Sequence, residues 1–189
     1  MLTGTVDLAA LVAGVVPARL SGIAEVPPGW FAVPPMLTPF SAAFVHAGGL
    51  HLGFNLVMLI IAGSMVERSF GSAAVLIAYA VGALAAGLAQ WGVSPASITP
   101  MVGASGAISA LLAMQALMYP PGRARAIGPL SARTVQAIWL AAAWTALNVA
   151  IGLATAGSSM PIAAPAHIGG FLAGLLLFRP LLWWRWRDA

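Results

Sequence analysis

Three stretches without a single charged side chain dominate this sequence: Val26 to Val66, Ser69 to Gly122 and Thr134 to Phe178, of 41, 54 and 45 residues. A hydrocarbon core takes roughly 20 apolar residues per helix, so these stretches hold about one, two and two spans with their turns. Within lipid a spanning segment must satisfy its own backbone hydrogen bonds, which a helix does locally. The expected fold is all-α, a polytopic transmembrane helical bundle. Composition agrees, with 61% hydrophobic and 6% charged residues against roughly 45–50% and 25% in soluble domains.

The same arithmetic excludes several functions. The acids are Asp7, Glu25, Glu67 and Asp188, and the net charge of +4 comes from eight scattered Arg with no Lys. No basic patch for nucleic acid is present. With no Cys and three His, disulfides and thiolate chemistry are absent and a protein-ligated metal is not expected. Chemistry must rest on Ser, His, Asn or backbone. Residues 1–16 lack the positive charge that opens a signal peptide, the first Arg being Arg19.

Along the chain, the apolar run Val6 to Val16 covers about half a bilayer core, so the first helix is expected to be short or truncated. The segment from Pro17 to Pro39 holds six Pro with Trp30 and Phe31, a composition that breaks helices and suits the membrane interface. Five full spans follow: Leu50 to Met65, Ser72 to Trp91, Gly103 to Tyr119, Val135 to Ala156 and Ala164 to Trp183, punctuated by Pro100, Pro120, Pro121 and Pro161. The whole of residues 1–189 reads as one membrane domain: 1–16 a partial first helix, 17–49 an outer loop, 50–183 a five-helix core and 184–189 a cytosolic tail. Arg68, then Arg123, Arg125 and Arg133, then Arg179, Arg185 and Arg187 occupy alternate joints, which puts seven of the eight Arg on one side. Short cytosolic loops collect such residues, so the opposite side is outside, or periplasmic in a bacterium. The lack of Lys and Cys with many Ala, Gly and Arg fits a GC-rich bacterial coding bias and hence a bacterial inner membrane.

Alternation also means that the spans beginning at Leu50, Gly103 and Ala164 run in the same direction, from outside to inside. Each carries polar residues near its start. His51 and Asn55 are four apart on one helical face, Ser105 sits between Gly103 and Gly106, and His167 leads into Gly170 and Gly174. Polar groups within a bilayer are costly and face the bundle interior, so these four are expected to meet at one depth. Such a set suits acyl transfer: a Ser hydroxyl needs a base, and neutral imidazole supplies one near pH 7. His167 is the expected base. The Asn55 amide, the His51 imidazole and the Ser105 backbone N–H, near a helix N-terminus, are the expected oxyanion donors. Gly103 and Gly106 keep the backbone open, and Gly170 and Gly174 form a small-residue strip that lets the His helix approach the Ser helix. No acid is near in sequence, so a Ser–His dyad is expected in place of a triad.

The segments HAGGLHLGFN (His46 to Asn55), VERSFG (Val66 to Gly71), GASGAISA (Gly103 to Ala110) and AHIGGFLAG (Ala166 to Gly174) resemble the rhomboid intramembrane serine proteases, in the family's order. The resemblance implies a rhomboid-like bundle with Ser105 as nucleophile, His167 as general base and acid, and His51 and Asn55 at the oxyanion. It also implies cleavage of membrane-anchored polypeptides near the outer end of a transmembrane segment, without a cofactor. The partners are then transmembrane protein substrates and the bilayer. This chain departs from the family pattern at three places. Leu37 and Thr38 stand where the family usually has Trp-Arg, Ser109 stands where many members have an aromatic against the base, and the first helix is short.

Other residues read as structural. His46 is expected to anchor the outer loop by a hydrogen bond, Glu67 and Arg68 to pair or cap the cytosolic end, and Gly82, Ala86 and Gly87 to pack helices. Trp183, Trp184 and Trp186 with Arg185 and Arg187 form an interfacial anchor. Trp139 and Trp144 are either lipid-facing bulk or part of a lateral entry for substrate. The alternative to a protease is a catalytically silent rhomboid-like protein that binds membrane clients. A small transporter would need midplane ionisable residues or paired broken helices, and neither is evident.

Overall fold

The computed structural model describes residues 4–122, 124–155, 157 and 162–187, with nothing said of the side chains of 4–7. The Asp7 side chain, Arg123, Ala156, Pro161 and Asp188, invoked above, lie outside this description. Helix α1 (Gly4–Ala13) has 10 residues, in keeping with a short first helix. The Pro-rich segment forms two single turns, α2 (Pro17–Leu20) and α3 (Thr38–Ser41), the second flanked by 3-10 turns. Five long helices follow: α4 (Gly49–Phe70), α5 (Ser72–Val93), α6 (Ser105–Met118), α7 (Ala132–Thr155) and α8 (Ala164–Trp186).

Four of these, α4, α5, α7 and α8, are long and apolar enough to cross a membrane, while α6 has only 14 residues. The expectation of five full spans is met in number but not in length. The reason is local at both ends of α6. Gly103 adopts φ 109, a left-handed backbone that keeps the helix from starting before Ser105. At the other end Tyr119 is extended, with ψ 149, as a residue preceding proline prefers.

Between α4 and α5 the chain reverses at a single residue, Gly71, with φ 86. Ser72 Oγ donates to Glu67 Oε1 at 2.6 Å across this corner, so Glu67 braces the joint and takes no part in an acid–base set. The bundle has two unlike halves. Toward the Arg-bearing end, Val66, Phe70, Leu111, Met114, Phe178 and Leu181 close a dense core with Ala62, Ala74 and Ala78. Phe70 meets Phe178 edge to face at 5.4 Å. Arg133 lies over the Phe178 ring and donates to the Leu117 carbonyl, so Arg133 shares an end with Arg68 and Arg179.

Helix α8 runs through the middle, and glycines set its distances. A Cβ on Gly170 or Gly174 would strike the carbonyl oxygens of Gly106 and Ala110 on α6, and one on Gly169 would lie 2.7 Å from Ala85 O on α5. Gly82 and Gly87 likewise admit Ala110 and Pro39, so the expected packing roles hold, and Gly169 joins them. Helix α7 is peripheral. It packs chiefly on α8, and Val135 and Asn148 are its buried residues.

The Pro-rich segment is docked on the end opposite the dense core. Val15 pairs with Met101 through both backbone bonds, 3.0 and 2.8 Å. Arg19 donates to the carbonyls of Leu11 and Val33 at 2.9 and 2.8 Å. Thr38 is fully buried and donates to Pro35 O at 2.6 Å. Phe31 is 87% exposed and Trp30 half exposed, which suits an interfacial position. At the other end, Trp183 and Trp186 are exposed, with Arg185 over the Trp186 ring, as an interfacial anchor requires.

Candidate active site

The half of the bundle away from the dense core is hollow. A cleft of about 980 Å³ opens there, lined by His51 and Asn55 of α4, Gly103, Ser105 and Gly106 at the start of α6, and His167 of α8, among others. No Asp, Glu, Lys or Arg is among its described lining residues. The structure therefore brings all four of the expected polar residues together.

Ser105 is the first residue of α6, directly after the Ala104 N-cap. Its hydroxyl stands at the mouth of the helix, where the first-turn N–H groups lack intrahelical acceptors. His167 sits in the first turn of α8, and its Nε2 is 2.7 Å from Ser105 Oγ. Gly106 and Gly170 make this short reach possible, because any side chain at Gly170 would push α8 off the α6 backbone.

On the other wall, the His51 ring lies against Gly103, whose hypothetical Cβ would fall 2.8 Å from His51 Nε2. The Ala47 N–H points to His51 Nδ1 at 3.4 Å. That leaves the ring proton on Nε2, facing the Gly103 backbone beside Ser105. Asn55 is buried and gives one amide hydrogen to the His51 carbonyl at 2.9 Å; a side-chain amide has a second to offer. His46 packs edge to face on His51 at 5.2 Å, and its buried Nε2 has no protein partner. Ring packing against His51 holds it, in place of the loop-anchoring hydrogen bond expected.

Ser109, at the place where an aromatic would lie against the base, donates its hydroxyl to Ser105 O at 2.8 Å and is fully buried. The His167 imidazole is held from the other side instead. His167 Nδ1 is 2.8 Å from Asn148 Oδ1 on α7. Trp144, one turn earlier, donates Nε1–H to the His167 carbonyl at 3.1 Å and stacks on Phe171 at 4.8 Å. The two tryptophans of α7 thus divide: Trp144 braces α8, and Trp139, 69% exposed, faces outward. No motif spacing points to Asn148. The available signal is an amide inside an apolar span, where lipid offers it no partner.

Comparison with known proteins agrees with this picture. The family described as the Rhomboid domain matches residues 35–184. A stretch of 78 residues, 41% of this chain, is 37% identical to Rhomboid-like protein 11, chloroplastic, of Arabidopsis thaliana. Another of 70 residues, 36% of the chain, is 40% identical to Rhomboid-related protein 3 of Homo sapiens. The matched stretches span 28% and 17% of those relatives' own lengths.

Proposed function

Because the chain belongs to the rhomboid family, an integral membrane protein of helical design, we propose that it is an intramembrane serine endopeptidase acting on membrane-anchored polypeptides. The observation that carries this reading is the 2.7 Å hydrogen bond between Ser105 Oγ and His167 Nε2 at the wall of an open cleft. Ser105 Oγ attacks the scissile carbonyl carbon as its proton passes to His167 Nε2. The oxyanion receives N–H donors from His51, Asn55 and the Ser105 backbone. Collapse of the tetrahedral intermediate breaks the C–N bond, and the imidazolium returns its proton to the departing amine. Water, deprotonated by the same imidazole, then hydrolyses the acyl-enzyme.

The substrate must present an extended backbone to Ser105, so a transmembrane segment with helix-destabilising residues near the cut is favoured. The bias of Arg to one end of the bundle supports a cytosolic location for that end, with the cleft opening outward. Composition supports a bacterial inner membrane. The test is cleavage of a single-span substrate in liposomes by the chain as it stands and by Ser105→Ala. Cleavage lost in the variant sustains the proposal. A fluorophosphonate probe that fails to label Ser105, together with no cleavage, leaves a silent client-binding protein instead.

A further inference from the structure

We propose that Asn148 of α7 is a positioning residue that completes a Ser105–His167–Asn148 relay, fixing the tautomer and the rotation of the base; the inference rests on the protease reading above. The orientation of its amide is determined by its neighbours. Asn148 Nδ2 donates to the Trp144 carbonyl at 3.0 Å, so Oδ1 is the atom turned toward His167. An amide oxygen only accepts, and at 2.8 Å it requires the ring proton on His167 Nδ1. The Nε2 lone pair is then directed at Ser105 Oγ, which is the tautomer a general base needs.

The surroundings make this assignment more than a chance contact. Asn148 is 3% exposed and one of two buried residues on α7. It lies behind the ring and does not line the cleft, so it acts through His167 and not on substrate. Ser109, in the position where a side chain on α6 would support the imidazole, has turned its hydroxyl back to Ser105 O. Among the described residues, support on the Nδ1 side comes from α7, through Asn148 at the ring and Trp144 at the His167 carbonyl. The groups facing His167 are thus Ser105, Asn148 and, across the cleft, His51, with no charged side chain among the described lining residues.

A neutral amide orients the imidazole without stabilising the imidazolium as a carboxylate would. Two substitutions separate these effects. Asn148→Ala is expected to lower kcat about ten- to a hundredfold with KM within about twofold, a fraction of the roughly 10²–10⁴ supplied by a positioned base. Asn148→Asp keeps the acceptor and adds charge. Where that carboxylate ionises it favours imidazolium, so the acid limb of the kcat/KM profile moves to higher pH. Cleavage that depends on Ser105 but is within about twofold of wild type in Asn148→Ala, with the pH profile unchanged in Asn148→Asp, overturns the inference alone. Cleavage that does not depend on Ser105 overturns the protease reading. A third measurement is independent of activity and is read on the wild-type protein: ¹⁵N NMR of histidine-labelled protein, with His167 assigned by its loss in His167→Ala. The expected neutral form carries its proton on Nδ1. A proton on Nε2 in the wild-type protein refutes the assignment.

Discussion

Ser105 and His167 are 62 residues apart in sequence and 2.7 Å apart in space, and the side chains around them divide the remaining work. Asn55 has one amide hydrogen committed to His51 O and, in the proposed reaction, one for the developing oxyanion. Asn55→Ala is expected to lower turnover about ten- to a thousandfold while leaving Ser105 labelling by a fluorophosphonate detectable, because one oxyanion donor is worth at most roughly 2.7–4 kcal/mol and others remain. Unchanged turnover would remove Asn55 from the reaction. Ser105, His167, His51 and Asn55 were legible in the sequence because each is polar near the start of a charge-free span, and helix direction alone puts them at one end. Asn148 was not. It lies mid-span, and whether it meets His167 depends on how α7 is rotated about its own axis, which spacing within α7 does not encode. The two tryptophans were ambiguous for the same reason.

Among the helices, glycine governs the contact that matters most. The α6–α8 approach brings Gly170 and Gly174 onto the carbonyls of Gly106 and Ala110. Gly174→Val is expected to force the pair apart at about 1–3 kcal/mol or more, lowering the thermal midpoint and cutting the rate of Ser105 labelling. A variant with wild-type melting and labelling would contradict the packing described. Helix α7 makes the opposite case. Trp139→Ala, outward-facing, is expected to leave cleavage within about twofold, whereas Trp144→Ala removes both the ring stack and the bond to His167 O and should slow cleavage severalfold; equal effects of the two would mean that α7 does not brace the base. Span boundaries were readable from apolar runs and prolines to within a few residues. The largest miss is the end of α4, which runs on to Phe70 past the expected Met65; α6 starts two residues late, at Ser105, because its start is set by the φ of Gly103, and hydropathy carries no trace of a backbone angle.

The molecule as a whole is dense at one end and hollow at the other, with arginines gathered at the dense end and the Pro-rich segment docked beside the cleft. The absence of cysteine makes it a clean background for mapping that polarity. Ala96→Cys, between α5 and α6, and Arg125→Cys, between α6 and α7, are expected to react with a membrane-impermeant maleimide from opposite faces of sealed vesicles. Labelling of both from one face would contradict the alternation of spans. The length of α6 has a final consequence. Its 14 residues reach only about 21 Å at ~1.5 Å per residue, some 9 Å less than a typical ~30 Å hydrocarbon layer. With the far end of α6 level with the lipid boundary, Ser105 is sunk about that far beneath the opposite one. In the proposed protease the helix then works as a depth gauge: it sets how many residues of a client segment, about three for an extended chain at ~3.3 Å each, lie between the headgroups and the severed bond. Lengthening α6 by one turn, ~5.4 Å, would shift the fragment masses toward the surface by about two residues.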